Sequence, residues 1–160
     1  MQQQPGNPFA IGEPHLRARS ERAVEGRGRL HLDAEHRKAG GGRVQDADPK
    51  LLRMVFQNLL SNSIKYTAPM GHVLFTVNSD ESNILVKVSD SGMGIPKDEQ
   101  GRVFSKLFRA ANVREQDTEG TGLGLYIVKS VVEQSGGTIH FESEEHKGTT
   151  FFVTLPKEGM

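Results

Sequence analysis

Between Asp48 and Leu155 the apolar residues follow two different periods, and the switch between them divides the chain into helices and strands. Leu51, Leu52, Val55, Phe56, Leu59 and Leu60 recur at spacings of three and four, which makes one broad apolar face on a helix. Asp48 stands before it as a cap, and Pro49 takes the first helical position, where a missing N–H costs nothing. The runs His72 to Val77 and Ile84 to Ser89 read as strands, joined by the polar loop Asn78-Ser79-Asp80-Glu81-Ser82 and expected to pair antiparallel. Gly124 to Gln134 reads as a second long helix stopped by Gly136-Gly137, followed by a hairpin of Thr138 to Glu142 and Thr149 to Leu155 across a turn at Glu144 to Gly148. These elements predict an α+β two-layer sandwich in which a mixed, mostly antiparallel sheet is covered by helices on one face.

The first 47 residues break this regularity. Glu25-Gly26-Arg27-Gly28-Arg29 and Gly40-Gly41-Gly42-Arg43 are rich in Gly and Arg, and Phe9 is the only aromatic residue there. Such a segment buries little apolar surface against its ordering entropy, so residues 1–47 are expected to be mostly flexible and residues 48–160 to form the folded domain. A short helix over Leu16 to Val24 and a strand over Arg29 to Leu32 are the local patterns it allows, and its basic residues also suit a docking arm. A chain of 160 residues supports one ordinary core. Lys+Arg and Asp+Glu are equal at 20 each, which leaves no basic surplus to recruit nucleic acid. With no cysteine, disulfides and thiol catalysis are excluded, a composition suited to a reducing cytoplasm. No apolar run approaches the roughly 18 to 20 residues needed to span a bilayer, so no direct membrane span is expected in this chain.

Three clusters carry candidate chemistry. On the first helix, Asn58, Asn62 and Lys65 lie four and three apart and share one side. A carboxamide oxygen is a hard, neutral ligand for Mg²⁺, with Asn62 the better candidate, and Lys65 and Tyr66 follow within reach of phosphate oxygens. Counting by twos from Ile84 through Val86 and Val88 arrives at Asp90, whose carboxylate therefore points to the buried side, where a ligand N–H such as an adenine amino group would satisfy it. Gly92 and Gly94 beyond it permit close backbone approach and positive φ. Gly120, Gly122 and Gly124 precede a helix whose first N–H groups lack internal partners and attract phosphate. The string is neither a Rossmann fingerprint, since no strand runs into it, nor a Walker A loop, which needs Gly-Lys-Ser/Thr. The polar stretch Ala110 to Glu119 reads as a surface loop able to serve as a mobile lid.

In order, Asn58-Leu59-Leu60-Ser61-Asn62-Ser63-Ile64-Lys65-Tyr66-Thr67, Asp90-Ser91-Gly92-Met93-Gly94-Ile95-Pro96 and Gly120-Thr121-Gly122-Leu123-Gly124-Leu125 resemble the N, G1 and G2 boxes of the catalytic ATP-binding domain of sensor histidine kinases, on the Bergerat fold shared with gyrase-type ATPases. Arg102 to Arg109 resembles the F box, and Gly148-Thr149-Thr150-Phe151 resembles the strand that closes the adenine site. The resemblance covers Asp46 to Lys157. It implies that Asn62 binds Mg²⁺, that Asn58, Lys65 and Tyr66 contact phosphates or sugar, and that Asp90 takes the adenine amino group, supported by Thr149. Gly92, Gly94, Gly122 and Gly124 would shape the base and phosphate loops, with Ile95, Gly120, Thr121, Leu123 and Leu125 belonging to the same nucleotide-contacting boxes. Arg109 would approach the γ-phosphate, so that Asn58, Lys65 and Arg109 form the implied catalytic set. ATP and Mg²⁺ are the implied cofactors, and the implied partners are a histidine phosphoacceptor domain and a downstream response regulator.

Gyrase-like ATPases carry a Glu one turn before the metal-binding Asn, where it activates water; this chain has Asn58 there. A carboxamide is no general base, which predicts poor direct hydrolysis and a γ-phosphoryl kept for another acceptor. Family kinases present that acceptor as His-Glu-x-x-x-Pro on a two-helix hairpin, a context that none of His15, His31, His36, His72, His140 and His146 has. The acceptor is therefore expected on a separate domain or chain. The alternative is a non-catalytic or anti-sigma-type ATP-binding regulatory module. Ser63, where Ala is usual, and Leu107, where an aromatic is common, are departures the fold is expected to tolerate.

Overall fold

The computed structural model describes residues 16–24, 27–36, 47–116 and 120–157. Helix α1 (Pro49–Tyr66) begins as its sequence predicts, with the Asp48 carboxylate accepting the Lys50 N–H at 2.8 Å and Pro49 in the first turn. Two strands, β1 (Leu16–Val24) and β2 (Arg27–His36), precede it. After it come β3 (His72–Ser79), β4 (Asn83–Asp90), the short helix α2 (Ala111–Gln116), helix α3 (Gly124–Gln134), β5 (Thr138–Glu144) and β6 (Gly148–Pro156).

The strands form one mixed sheet in the order β1-β2-β3-β4-β6-β5. Among the described strands only β2 and β3 run parallel, connected through α1, and the other neighbours are antiparallel. Helices α1 and α3 bury their apolar stripes on one face of this sheet. Val55 and Leu59 from α1, Val128 and Val132 from α3, and Val88 and Val153 from the sheet are completely excluded from solvent. Burial on this scale, roughly 1.5–3 kcal/mol per aliphatic side chain, fixes the helices over the strands.

The region before Asp48 departs from the sequence expectation. Residues 16–24, where a short helix was allowed, form β1, and the Arg29 to Leu32 stretch lies inside β2. Helix propensity in Leu16 to Val24 is overridden because β2 adds in parallel to the edge of β3 and β1 then pairs along β2 from Leu16 opposite His36 to Val24 opposite Arg27. Ladder hydrogen bonds satisfy backbone groups that an isolated helix of this length would hold only marginally. The expectation of flexibility for residues 1–15, 25–26 and 37–46 lies outside the described residues.

Candidate functional site

The register between β4 and β6 creates the first half of the site. It sets Asp90 opposite Thr149 and Val88 opposite Phe151 at the end of the sheet beneath α1. The Asp90 side chain turns to the helix-covered face, as the alternation predicts, and is anchored there from three directions. Its Oδ1 accepts the Gly92 N–H at 2.9 Å and the Thr149 N–H at 3.2 Å, while its Oδ2 accepts the Ser63 hydroxyl at 2.9 Å. Burial pushes the Asp90 carboxyl above its ordinary range, and these three donors pull in the opposite direction without reversing the shift.

The backbone around Asp90 is packed too closely for side chains. A Cβ on Gly92 would stand 2.6 Å from the Tyr66 carbonyl oxygen, and one on Gly148, at φ +123°, would run into the Asp90 carbonyl. Gly94 has φ +65° and lies against the Glu144 carbonyl. The loop after Asp90 is held by Met93 N–H to Tyr66 O (3.2 Å), His146 N–H to Met93 O (2.7 Å) and Ile95 N–H to Ser143 Oγ (2.9 Å). Gln100 spans the same junction, its amide donating to the Ile95 and Ser143 carbonyls at 3.0 Å each. The turn between β5 and β6 is thereby clamped to the loop after β4.

The second half comes from α1, the segment Arg102 to Arg109 and the start of α3. Val103 is buried, and Phe104 packs its ring edge-on against Phe141 and Phe151, with centroids 5.7 and 6.3 Å away. This seats Phe108 and Arg109 beside the glycine loop: the guanidinium of Arg109 lies against Gly120, and the Leu107 and Phe108 backbone lies against Gly122, which has φ +69°. Asn58 donates to the Met54 carbonyl at 2.9 Å and turns its Oδ1 toward the Cα of Gly124.

These surfaces enclose a cavity of about 260 Å³. Of the residues singled out in the sequence, Asn58, Asn62, Lys65, Tyr66, Asp90, Gly94, Ile95, Arg109, Gly120, Thr121, Gly122, Gly124, Leu125 and Thr149 all line it. Gly92 and Leu123 are not part of the wall; Gly92 supports Asp90 through its N–H, and Leu123 opens α3, its carbonyl accepting the Ile127 N–H at 2.9 Å. Ser63, Met93, Val103, Phe108, Ala110, Val113 and Phe151 also line the cavity. Apart from Ser63 these are apolar, and no polar signal marks them in sequence; a wall of apolar side chains with few polar groups suits a flat heteroaromatic base. Part of the expected lid is helical: α2 contains Val113, and Asn112 donates to the Gly94 carbonyl at 3.0 Å. Residues 117–119 of that stretch lie outside the described residues.

Among the described residues no group of three or more His, Asp or Glu could hold a metal ion by itself. A Mg²⁺ held by one carboxamide, with phosphate oxygens and waters completing its sphere, fits that donor set, because Asn62 lines the same cavity as Lys65, Gly120 and Gly122. No helix among the described residues is long and apolar enough to cross a membrane.

Residues 47–159 match the family described as histidine kinase-, DNA gyrase B- and HSP90-like ATPase. The chain is 41% identical over 114 residues to the circadian input-output histidine kinase CikA of Synechococcus elongatus, covering 71% of this chain and 15% of that protein. It is 41% identical over 113 residues to the sensor histidine kinase WalK of Bacillus subtilis, covering 69% of this chain and 18% of that protein. Among solved structures it resembles the mycobacterial sensor histidine kinase MprB (TM-score 0.68, 28% identity, 82% of this chain and 86% of that one). It also resembles the catalytic domain of the histidine kinase ThkA (TM-score 0.59, 32% identity, 69% of this chain and 70% of that one). The chain thus spans less than a fifth of the curated relatives CikA and WalK. With the N, G1, F and G2 segments gathered around one cavity on this sheet, the chain belongs to the histidine kinase-, DNA gyrase B- and HSP90-like ATPase family, as an ATP-binding catalytic domain of the sensor histidine kinase type.

Proposed function

We propose that this domain binds Mg-ATP in the cavity and transfers the γ-phosphoryl group to a histidine supplied by a separate dimerisation and phosphoacceptor domain, in cis or in trans. The observation that carries the reading is that an anchored Asp90 shares one cavity with Asn62, Lys65, Arg109 and the glycine loop. Asp90 receives the adenine amino group, and the apolar wall of Met93, Ile95, Val113 and Phe151 encloses the base. Asn62 holds Mg²⁺, which when bound neutralises phosphate charge. Lys65, Tyr66 and Arg109 contribute positive charge and hydrogen-bond donors toward the phosphates, so catalysis is positioning and charge stabilisation. Asn58 offers no base for water, which keeps the phosphoryl group for the partner imidazole.

None of the histidines among the described residues lies on a helix. His31 and His36 are in β2, His72 in β3, His140 in β5 and His146 in the following turn. An external acceptor on a helical hairpin, relaying to a response regulator, agrees with that placement. We further take residues 48–160 as the ATP-binding unit, and a cytoplasmic setting as the one in which its ATP is available.

The test is to mix the chain with a histidine-bearing acceptor hairpin and γ-labelled ATP. Acid-labile, base-stable label on the hairpin supports histidine transfer. Acid-stable label on a serine of a partner would identify an anti-sigma-type kinase instead. Tight ATP binding without transfer would identify a regulatory module, and rapid phosphate release by the chain alone would overturn the argument from Asn58.

A further inference from the structure

Ser63 breaks the habit of the other helix hydroxyls. Ser61, Thr67, Ser130 and Ser135 each spend their proton on a carbonyl three or four residues back in their own helix, on Asn58, Ser63, Tyr126 and Val131 respectively. Ser63 instead donates 27 residues away, to Oδ2 of Asp90, from a position only 2% exposed that also lines the cavity. The two carboxylate oxygens are therefore not equivalent. Oδ1 accepts two backbone N–H groups, filling its in-plane lone pairs, whereas Oδ2 accepts Ser63 alone and keeps one lone pair for a ligand.

The neighbouring hydroxyl points to the same polarity. Ser143 Oγ lies 3.1 Å from the Gly148 carbonyl and 2.9 Å from Thr149 Oγ1, and with its proton on Gly148 it receives the Thr149 hydroxyl. In that arrangement Thr149 and Ser63 both commit their protons to the protein. What these side chains and Asp90 Oδ2 present to the base end of the cavity is a set of acceptors. An exocyclic amino group matches that set, and a carbonyl oxygen in its place meets repulsion and no donor.

We propose that Ser63 is a positioning residue for base selectivity: its hydroxyl fixes the Asp90 carboxylate so that Oδ2 alone faces the ligand, and it thereby strengthens recognition of a 6-aminopurine. The inference deepens the reading of the cavity as an ATP site and rests on it. It gives a function to a departure that the sequence marks only as tolerable.

The test measures the Mg-dependent affinities of ATP, GTP and purine riboside 5′-triphosphate, which lacks the 6-amino group, by titration calorimetry. They are compared across the parent chain, Ser63→Ala, Asp90→Asn and the double variant. Ser63→Ala should weaken ATP about fivefold, leave purine riboside triphosphate within about twofold, and narrow the preference for ATP over GTP. In the Asp90→Asn background it should add nothing to the loss. Equal weakening of ATP and purine riboside triphosphate by Ser63→Ala would overturn the proposal in favour of a packing role, as would an unchanged ATP affinity. A parent that binds purine riboside triphosphate as tightly as ATP would overturn the adenine-site reading itself, which is a different failure. Ser63→Cys, similar in size with a weaker donor, should fall between parent and Ala, and a Cys variant indistinguishable from the parent would argue against the hydrogen bond.

Discussion

The two ends of the cavity are built differently. At the base end the protein's own hydrogen bonds hold the polar groups in place: Asp90 is held by Ser63, Gly92 and Thr149, and the loop after β4 is pinned through Ser143, Gln100 and the turn before β6. At the end proposed for the phosphates, Asn58 turns to Gly124 and Arg109 lies against Gly120 of a glycine loop with little side-chain bulk, while Asn62, Lys65 and Tyr66 line the same cavity from α1. The difference teaches that the carboxylate proposed to read the base is fixed by the fold's own hydrogen bonds, whereas the wall proposed for Mg-triphosphate is lined by a glycine loop that leaves room for a bulky ligand. On the proposed function, such a division would let the phosphate end adjust to an incoming acceptor without loosening the grip on the base.

That contrast can be broken most sharply at the phosphate end. Asn62→Ala should weaken Mg-ATP binding by about 100-fold and remove most of the difference between titrations with and without Mg²⁺, while leaving the preference for ATP over GTP intact. Loss of base preference together with metal dependence would mean that the two ends are one unit. Gly148→Ala attacks the framework of the base end, because it places a Cβ on the Asp90 carbonyl at φ +123°. It should destabilise the domain by about 3 kcal/mol in denaturant unfolding and weaken nucleotide binding only in proportion to unfolding.

Asp90→Asn should raise the ATP dissociation constant roughly tenfold and compress the ATP-to-GTP ratio while retaining Mg dependence, the mirror image of Asn62→Ala. The smallest expected effect is the pH response of the same group. Burial raises the Asp90 carboxyl above its reference value of 3.8, so the folded state binds this proton more tightly than the unfolded chain does. Its contribution to folding is therefore most favourable below the unfolded value and is lost as pH rises through the folded one. Binding runs the other way, because the amino group needs the ionised acceptor. ATP affinity should fall as pH drops into the range just above the ordinary carboxylate value, and Asp90→Asn should flatten that limb in calorimetric titrations between pH 4 and 7.

How much of this was readable beforehand varied with the range of the interaction. The periods of α1, β3, β4, α3, β5 and β6 were legible because each element's burial pattern repeats within a few residues. The predicted spans of β3, β4, α3, β5 and β6 fall within two residues of the observed ends, and α1 starts where its cap predicts. Strand β1 was misread as potential helix, since Ala, Arg and Glu carry helix propensity and only β2 alongside makes the extended form favourable. The polar members of the site were legible from residue chemistry in ordered clusters. Its apolar wall was legible only in part, through the boxes that hold Met93, Ile95, Val103, Phe108 and Phe151; by residue chemistry alone Val103, Val113 and Phe151 look like any core residues until the fold leaves one side of them open.

By itself the sequence determined the amphipathic helices, the facing of Asp90 into the buried layer, and the absence of a carboxylate at position 58. These depend on backbone periodicity and residue identity, which are local properties. Only the tertiary structure decided that Asp90 sits opposite Thr149, that Ser63 reaches across 27 residues to it, and that the turn between β5 and β6 closes on the loop after β4. Strand register and helix placement are set by burying all the apolar faces at once, so no local stretch of the chain contains them.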